Sequence, residues 1–547
     1  MIEPGTIPFE LLSILLYAET HYRFRHFFSY LKKDEPEVIA DAPFRVDPGQ
    51  AIPVLLLVKD ADKYPCKLRR VSIHVTSDPS TAPGHKTVKH EALSRQIRIR
   101  DRVWWKIFEI PAGNGLNGWV KIDTEFELEG PKGIRTYRND NHRTSSRKPL
   151  RVFVARDPLP RFKGVHFGDI HTHSMYTDDQ VEFGAPLEAS IRLSGALGLS
   201  FFGATDHSYD LDDTIDDYLT NDPTFSKWKS LQSEIDKLEK KYRDFAVLRG
   251  EEVSCRSSAG HNVHMVLLGN RDFVEGSGDG AERWFKTRCE HSIHEITVSK
   301  DSSVLAFAAH PAEDVPFVQR LLLHRGSWLQ RDISANSING VQFANGTSES
   351  GFRRGIRQWI HGLLEGRKLI AVAGNDAHGN FNRFRQIGIP FFTIRETNQH
   401  IFGGMRTAVF LRKPLSETAI IQAIAAGNCI ITDGPVARIT SKFDNRPIIQ
   451  AGSPAAGKNI ELTIEALSGP EFGKIEKIIV WKGVIGNRAE RVLFETFADD
   501  YRFTGKIHYQ PDKPAYVRLE VWTSIANAHG GRPHFCLTNP IWLNPEP

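Results

Sequence analysis

The sequence predicts an α/β core, built of βα units around a parallel sheet or barrel and flanked by two β-rich regions. Short apolar runs alternate with helical patterns between residues 163 and 435. Period-two alternation dominates on either side of that stretch. Nearly every expected strand of the middle region ends in a His, Asp or Glu. At 547 residues the chain is too long for one core. Three domains are expected: a β-rich one over 1–160 with a short leading helix, the α/β one over 161–435, and a β-sandwich over 436–547.

The leading helix rests on the apolar stretch Leu11 to Ala18, bounded by Glu10 and Glu19. It is too short to span a membrane and lacks a basic flank, so it reads as amphipathic and the protein as cytoplasmic. Next comes the apolar run Val54 to Val58. Trp119 to Leu128 then alternates strictly, with Val120, Ile122, Thr124, Phe126 and Leu128 on one face, as a half-buried antiparallel strand does. In the middle region the expected strands are 166–173, 200–207, 245–253, 263–268, 304–310, 340–345 and 369–376. Trp228, Leu231, Ile235, Leu238 and Tyr242 recur at spacings of three and four and predict a helix, as do Ile356, Ile360 and Leu363. The β texture returns over 460–466, 475–481, 492–497 and 516–522.

Composition narrows the function. Seventy basic residues against 66 acidic ones leave a net charge of +4, which is no footprint for nucleic acid. Five scattered cysteines without a CxxC pair argue against a disulfide framework and against a thiolate zinc site. Oligomeric state is not legible.

The chemistry lies at the strand ends. Strand one closes on Asp169-Ile170-His171-Thr172-His173, followed by Asp178. Strand two closes on Asp206-His207, the third contains Glu251-Glu252, the fourth carries His264, the fifth ends at His310, and the seventh runs into Asp376-Ala377-His378. Residues i and i+2 of a strand share a face, so His171 with His173, and Asp376 with His378, can address one centre. Imidazoles with carboxylates suit Zn, Mn or Fe, and a carboxylate can bridge two such cations. His166, Asp169 and His261 read as structural bystanders.

In their order, these motifs resemble the polymerase and histidinol phosphatase (PHP) superfamily: an HxH, a DH, a strand-end Glu, two single His and a final DxH. GEEVS, VHMVLLG, AHPAE, GNDAHGNFNRF, Arg406-Thr407 and the closing Thr538-Asn539-Pro540-Ile541-Trp542 look like its carbaryl-hydrolase-like branch. The resemblance implies a distorted (βα)7 TIM-like barrel holding two or three divalent cations. One cation would take His171, His173, Glu252 and Asp376. A second would share Glu252 and add His264 and His310. A third would take Asp178, His207 and His378. Glu251 and His261 stand as alternatives to Glu252 and His264, and Asp206 is expected to orient a histidine.

The implied activity is hydrolysis of a small phosphoester, with Glu252, Asp178 and His207 in the catalytic centre and Arg383 or Arg385 on the phosphate. Asn375 and Asn382 would support the loop. A carbamate or carboxylic ester hydrolase on the same site is the alternative chemistry. A non-catalytic, metal-stabilised binding protein is the alternative class.

Overall fold

The computed structural model describes residues 35–545 except 79–86, 94, 112–115, 143–146, 178–183, 218–219, 277–286, 316–319, 322, 347, 383, 389–392, 398, 444–445, 450–453, 457–459 and 528–530. The expected leading helix at Leu11–Ala18, Asp178 and Arg383 lie outside the described residues, as does the side chain of Arg385.

The first region pairs a three-stranded sheet with a seven-stranded one. Ile52–Lys59 is buried along its whole length, as its apolar run requires. Gly118–Gly130 buries the expected face (Val120, Ile122, Thr124, Phe126 and Leu128) while its other face stays half-buried or exposed.

Seven strands position the site: Val165–His173, Phe201–Ala204, Ala246–Arg256, Asn262–Leu268, Leu305–Ala309, Gly340–Ala344 and Ile370–Ala373, called strands one to seven below. Ser226–Lys241 packs Trp228, Leu231, Ile235 and Leu238 into the core, and Glu349–Leu364 does the same with Trp359 and Leu363. No described helix is long and apolar enough to cross a membrane.

The expected α/β class and (βα)7 TIM-like PHP barrel are overturned. Strand makes up 45% and helix 16%, with seven helices among the described residues. Strand four is antiparallel to both its neighbours. The reason is local: residues 257–261 between strands three and four are too few for a helical crossover, so the chain turns back as a hairpin. Strand one then pairs antiparallel with Arg406–Phe410, which pairs with Cys429–Thr432, which pairs with Pro533–Thr538. One mixed sixteen-stranded sheet therefore runs across the expected boundary at 435. The sequence pattern placed the strands to within a few residues but not their direction, because a buried antiparallel strand is as uniformly apolar as a parallel one.

Two pairings gather the strand ends. Strands one, two and three run parallel, as do five, six and seven. Ala377–His378, just past strand seven, pairs in parallel with Thr172 and His173 at the end of strand one.

Candidate metal centre

Eight of the nine expected ligands converge. They form three overlapping groups, in each of which the potential ligand atoms lie within 4.8 Å of one another: His171, His173, Glu252 and Asp376; Glu252, His264 and His310; and His173, His207 and His378. The first two match the expected sets. In the third, His173 stands with His207 and His378.

The strand geometry explains the convergence. His171 and His173 project from the same face of strand one, and the backbone N–H of Asp376 donates to the His171 carbonyl at 2.9 Å. An isolated parallel bridge sets His207 beside Glu252. His310 and Asp376 both adopt positive φ, +29° and +53°. That region is costly for residues other than glycine, and such strain gathers where surrounding structure holds a side chain for a purpose.

Glu252 is the hub. One carboxylate oxygen stands 2.9 Å from His264 Nδ1 and 3.0 Å from His310 Nε2; the other stands 3.2 Å from His171 Nε2, 3.4 Å from His173 Nε2 and 3.1 Å from His207 Nδ1. Asp376 Oδ1 lies 2.9 Å from His173 Nε2 and 3.4 Å from His171 Nε2. A cation with bonds of about 2.0–2.2 Å spaces adjacent donors about 3.0–3.5 Å apart, so the donor set fits divalent Zn, Mn or Fe in both chemistry and spacing.

The electrostatics point the same way. Burial alone would lower the His171 and His173 imidazoles, but Glu252 and Asp376 outweigh it and hold both up at about 9. Burial would raise the Glu252 carboxyl, yet His264 and His171 keep it well below the usual carboxylate range.

Strand alternation separates Glu251 from Glu252. Glu251 points away from the cluster and accepts from Ser208 Oγ at 3.0 Å, from the Val274 N–H at 3.1 Å and from Asn270 Nδ2. Burial pushes its carboxyl well up. His261 packs against Gly326 rather than joining the donors.

Asp206 departs from expectation, whereas Asp169 is structural as expected. Asp206 does not orient a histidine: it accepts from the Ser174 N–H at 2.7 Å, Ser174 Oγ at 2.8 Å and the Thr177 N–H at 3.0 Å, fixing the loop after the HxH. Asp169, expected as a bystander, accepts from the His171 N–H at 3.2 Å, the Asn375 N–H at 2.9 Å, Asn375 Nδ2 at 2.7 Å and the Gly403 N–H at 2.9 Å. It thereby ties strand one to the segment bearing Asp376, and burial raises its carboxyl to about 6. Asn375 supports the loop as expected, whereas Asn382 bonds Ala42 and Arg151 of the first region.

Sequence reasoning missed three neighbours. Gln342 Oε1 accepts from His171 Nδ1 at 3.1 Å, which turns Nε2 toward the cluster; its Nε2 donates to the Gly374 carbonyl at 2.6 Å. Tyr209 stacks on His207 with ring centroids 4.5 Å apart. Arg325 Nη2 lies 3.5 Å from His264 Nε2. Only Gln342 left a trace in the sequence, as a lone amide within an apolar strand.

No family model matches the chain, and no curated protein does. Among solved structures it is similar to a β-glucuronidase of Bacteroides uniformis, at 9% identity and a TM-score of 0.20, over 93% of this chain and 61% of that one. It is also similar to a β-glucuronidase of Parabacteroides merdae, at 9% identity and a TM-score of 0.17, over 94% and 64% of the two chains. A cycloisomaltooligosaccharide glucanotransferase of Paenibacillus sp. matches at 10% identity and a TM-score of 0.16, over 93% and 71%. These structural neighbours are enzymes by name, and the chain spans about three fifths of the length of the first. Likenesses this slight assign neither a fold nor a reaction to this chain.

Proposed function

We propose that this protein is a metal-dependent phosphoesterase acting on a small substrate with two or three divalent cations, Zn, Mn or Fe. The observation that carries the reading is the sharing of a carboxylate: Glu252 belongs to two of the three groups, with one oxygen facing His264 and His310 and the other facing His171 and His173. Shared donors hold cations close together, the arrangement suited to clamping both oxygens of a displaced ester. The PHP-like order of the motifs supports the same reading.

When bound, the cations would polarise the phosphoryl group and make water nucleophilic near neutral pH. The protein supplies the rest. His171, His173 and Glu252 are fully buried and form the floor. The Asp376 side chain keeps 21% of its surface exposed, so this donor remains accessible. Gln342 and Asp169 hold the floor and rim in register through the bonds described above. A preorganised polar set of this kind stabilises charge without having to rearrange as it develops.

The test is elemental analysis of full-length protein purified without chelator, joined to a panel of aryl phosphates and neutral aryl esters. Two to three bound cations and turnover of the phosphates alone are expected. Fewer than one cation per chain, not restored by added Mn, Fe or Zn, would sink the reading. Turnover of the esters with inert phosphates would move the chemistry to carboxyl or carbamate hydrolysis.

A further inference from the structure

We infer that Asp41 and Asn382 are positioning residues for His378, so that the first β region sets the affinity of the cation that His173, His207 and His378 would share; this rests on the metal-dependent reading above. His378 ends a strand of two residues, Ala377–His378, paired in register with Thr172 and His173. Two residues are a short hold for a ligand, since strands commonly run to about five or six. Directly after it Gly379 takes a φ of +65°, and its close approach to Ala185 leaves no room for a Cβ. The chain therefore turns away from the strand at once, and whatever receives it decides where His378 stands.

The first region receives it. Asp41 ends the strand Glu37–Asp41 of the three-stranded sheet, and its Oδ2 accepts from the Phe381 N–H at 2.8 Å. The Phe44 N–H donates to the Phe381 carbonyl at 2.9 Å. Asn382 Oδ1 accepts from the Arg151 N–H at 3.0 Å, and its Nδ2 donates to the carbonyls of Arg151 at 2.7 Å and Ala42 at 3.3 Å. Arg151 lies on Leu150–Val154 of the seven-stranded sheet, so both sheets of the first region grip residues 381 and 382. Phe381 is itself fully buried and stacks on Phe402 with ring centroids 4.3 Å apart. The Phe402 N–H donates to the Asn380 carbonyl at 2.9 Å.

The grip bears on one donor group. His171 and His173 stand on strand one, Glu252 on strand three and His264 on strand four, and none of these depends on the segment after His378. The His378 ring stacks on His173 with centroids 4.1 Å apart and lies 5.7 Å from the His207 ring. Metal–ligand distances hold to within about 0.2 Å, so a ring displaced by about 1 Å no longer bonds. Loosening residues 381 and 382 thus weakens the group of His173, His207 and His378 and spares the other two.

The test titrates Mn calorimetrically into chelator-treated full-length protein, comparing wild type, Asp41→Ala, Asp41→Asn, Asn382→Ala and His378→Ala. His378→Ala identifies the cation in question by losing it. Asp41→Ala and Asn382→Ala are each expected to weaken that same cation about 10–100-fold and to leave the others unchanged. Asp41→Asn keeps a side-chain oxygen for the Phe381 N–H and is expected to recover part of the loss. Combining Asp41→Ala with His378→Ala should lose no more cation than His378→Ala alone, because both changes act on one site. Wild-type affinity for every cation in either single variant overturns the assignment of that residue. An equal loss across all the cations marks the contact as structural only and overturns it too. If His378→Ala loses no cation while the wild type binds two, the inference falls and the two-cation reading stands; a wild type that binds none overturns both. Should Asp41→Ala fail to fold, Asn382→Ala decides.

Discussion

Glu252 serves two donor groups through its two carboxylate oxygens, whereas His310 serves one. Glu252→Gln is therefore expected to lose more than one bound cation and His310→Ala about one, as read by elemental analysis. Equal losses would contradict the shared arrangement. The supporting residues should behave differently. Gln342→Leu keeps the apolar strand but frees the His171 ring, with an expected loss of about 10–100-fold in metal affinity and little change in fold. Asp169→Asn replaces an acceptor with an amide that must present a donor to Asn375 or to a backbone N–H. A cost of about 1–3 kcal/mol is expected from thermal unfolding. His171, His173, His207, His264, His310 and His378 were legible in the sequence because each sits in a motif on or just beyond an expected strand. Gln342, Tyr209 and Arg325 were not, since each acquires its role only by touching a histidine remote in sequence.

Between elements, close approach matters more than propensity. A Cβ added at Gly374 would meet His171 Cβ at 2.6 Å and the His171 backbone nitrogen at 2.7 Å. Gly374→Ala must push strand one away from the segment leading to Asp376. An overpacking cost of about 1–3 kcal/mol is expected, with metal lost in step. Retention of wild-type metal content in that variant would show the two segments to be less tightly coupled than their spacing indicates. The strands themselves were readable to within a few residues, and so were the helices Ser226–Lys241 and Glu349–Leu364. Their pairing direction was not. Apolar periodicity reports burial, and burial is the same whether a neighbour runs up or down.

Across the molecule, the last region completes the sheet that carries the site. Asn539 Oδ1 accepts from the Ala371 N–H at 2.7 Å, and its Nδ2 donates to the carbonyls of Ala371 and Cys429 at 3.0 Å each. A chain truncated after 435 leaves Cys429–Thr432 without its partner strand and is expected to be insoluble. A soluble, metal-loaded product of that truncation would refute the coupling. The pH response of the centre follows from His171 and His173, held at about 9 in the ion-free form. A raised folded-state pKa contributes stability that is full below the unfolded value of about 6.5 and is lost as pH rises through the folded one. Ion-free protein is therefore expected to lose Tm between about pH 6.5 and 9. Metal-loaded protein should not, because cations replace those protons. Parallel Tm profiles with and without metal over that range would contradict the exchange.

By itself the sequence determined which side chains are chemically equipped to hold cations and which stretches are strands, because ligand type and apolar period are properties of neighbouring residues. Tertiary structure alone decided that strand four turns back and that the sheet runs on into the last region. Those outcomes depend on which backbone edges find each other and which face of each strand the pairing turns inward, and no local pattern encodes either.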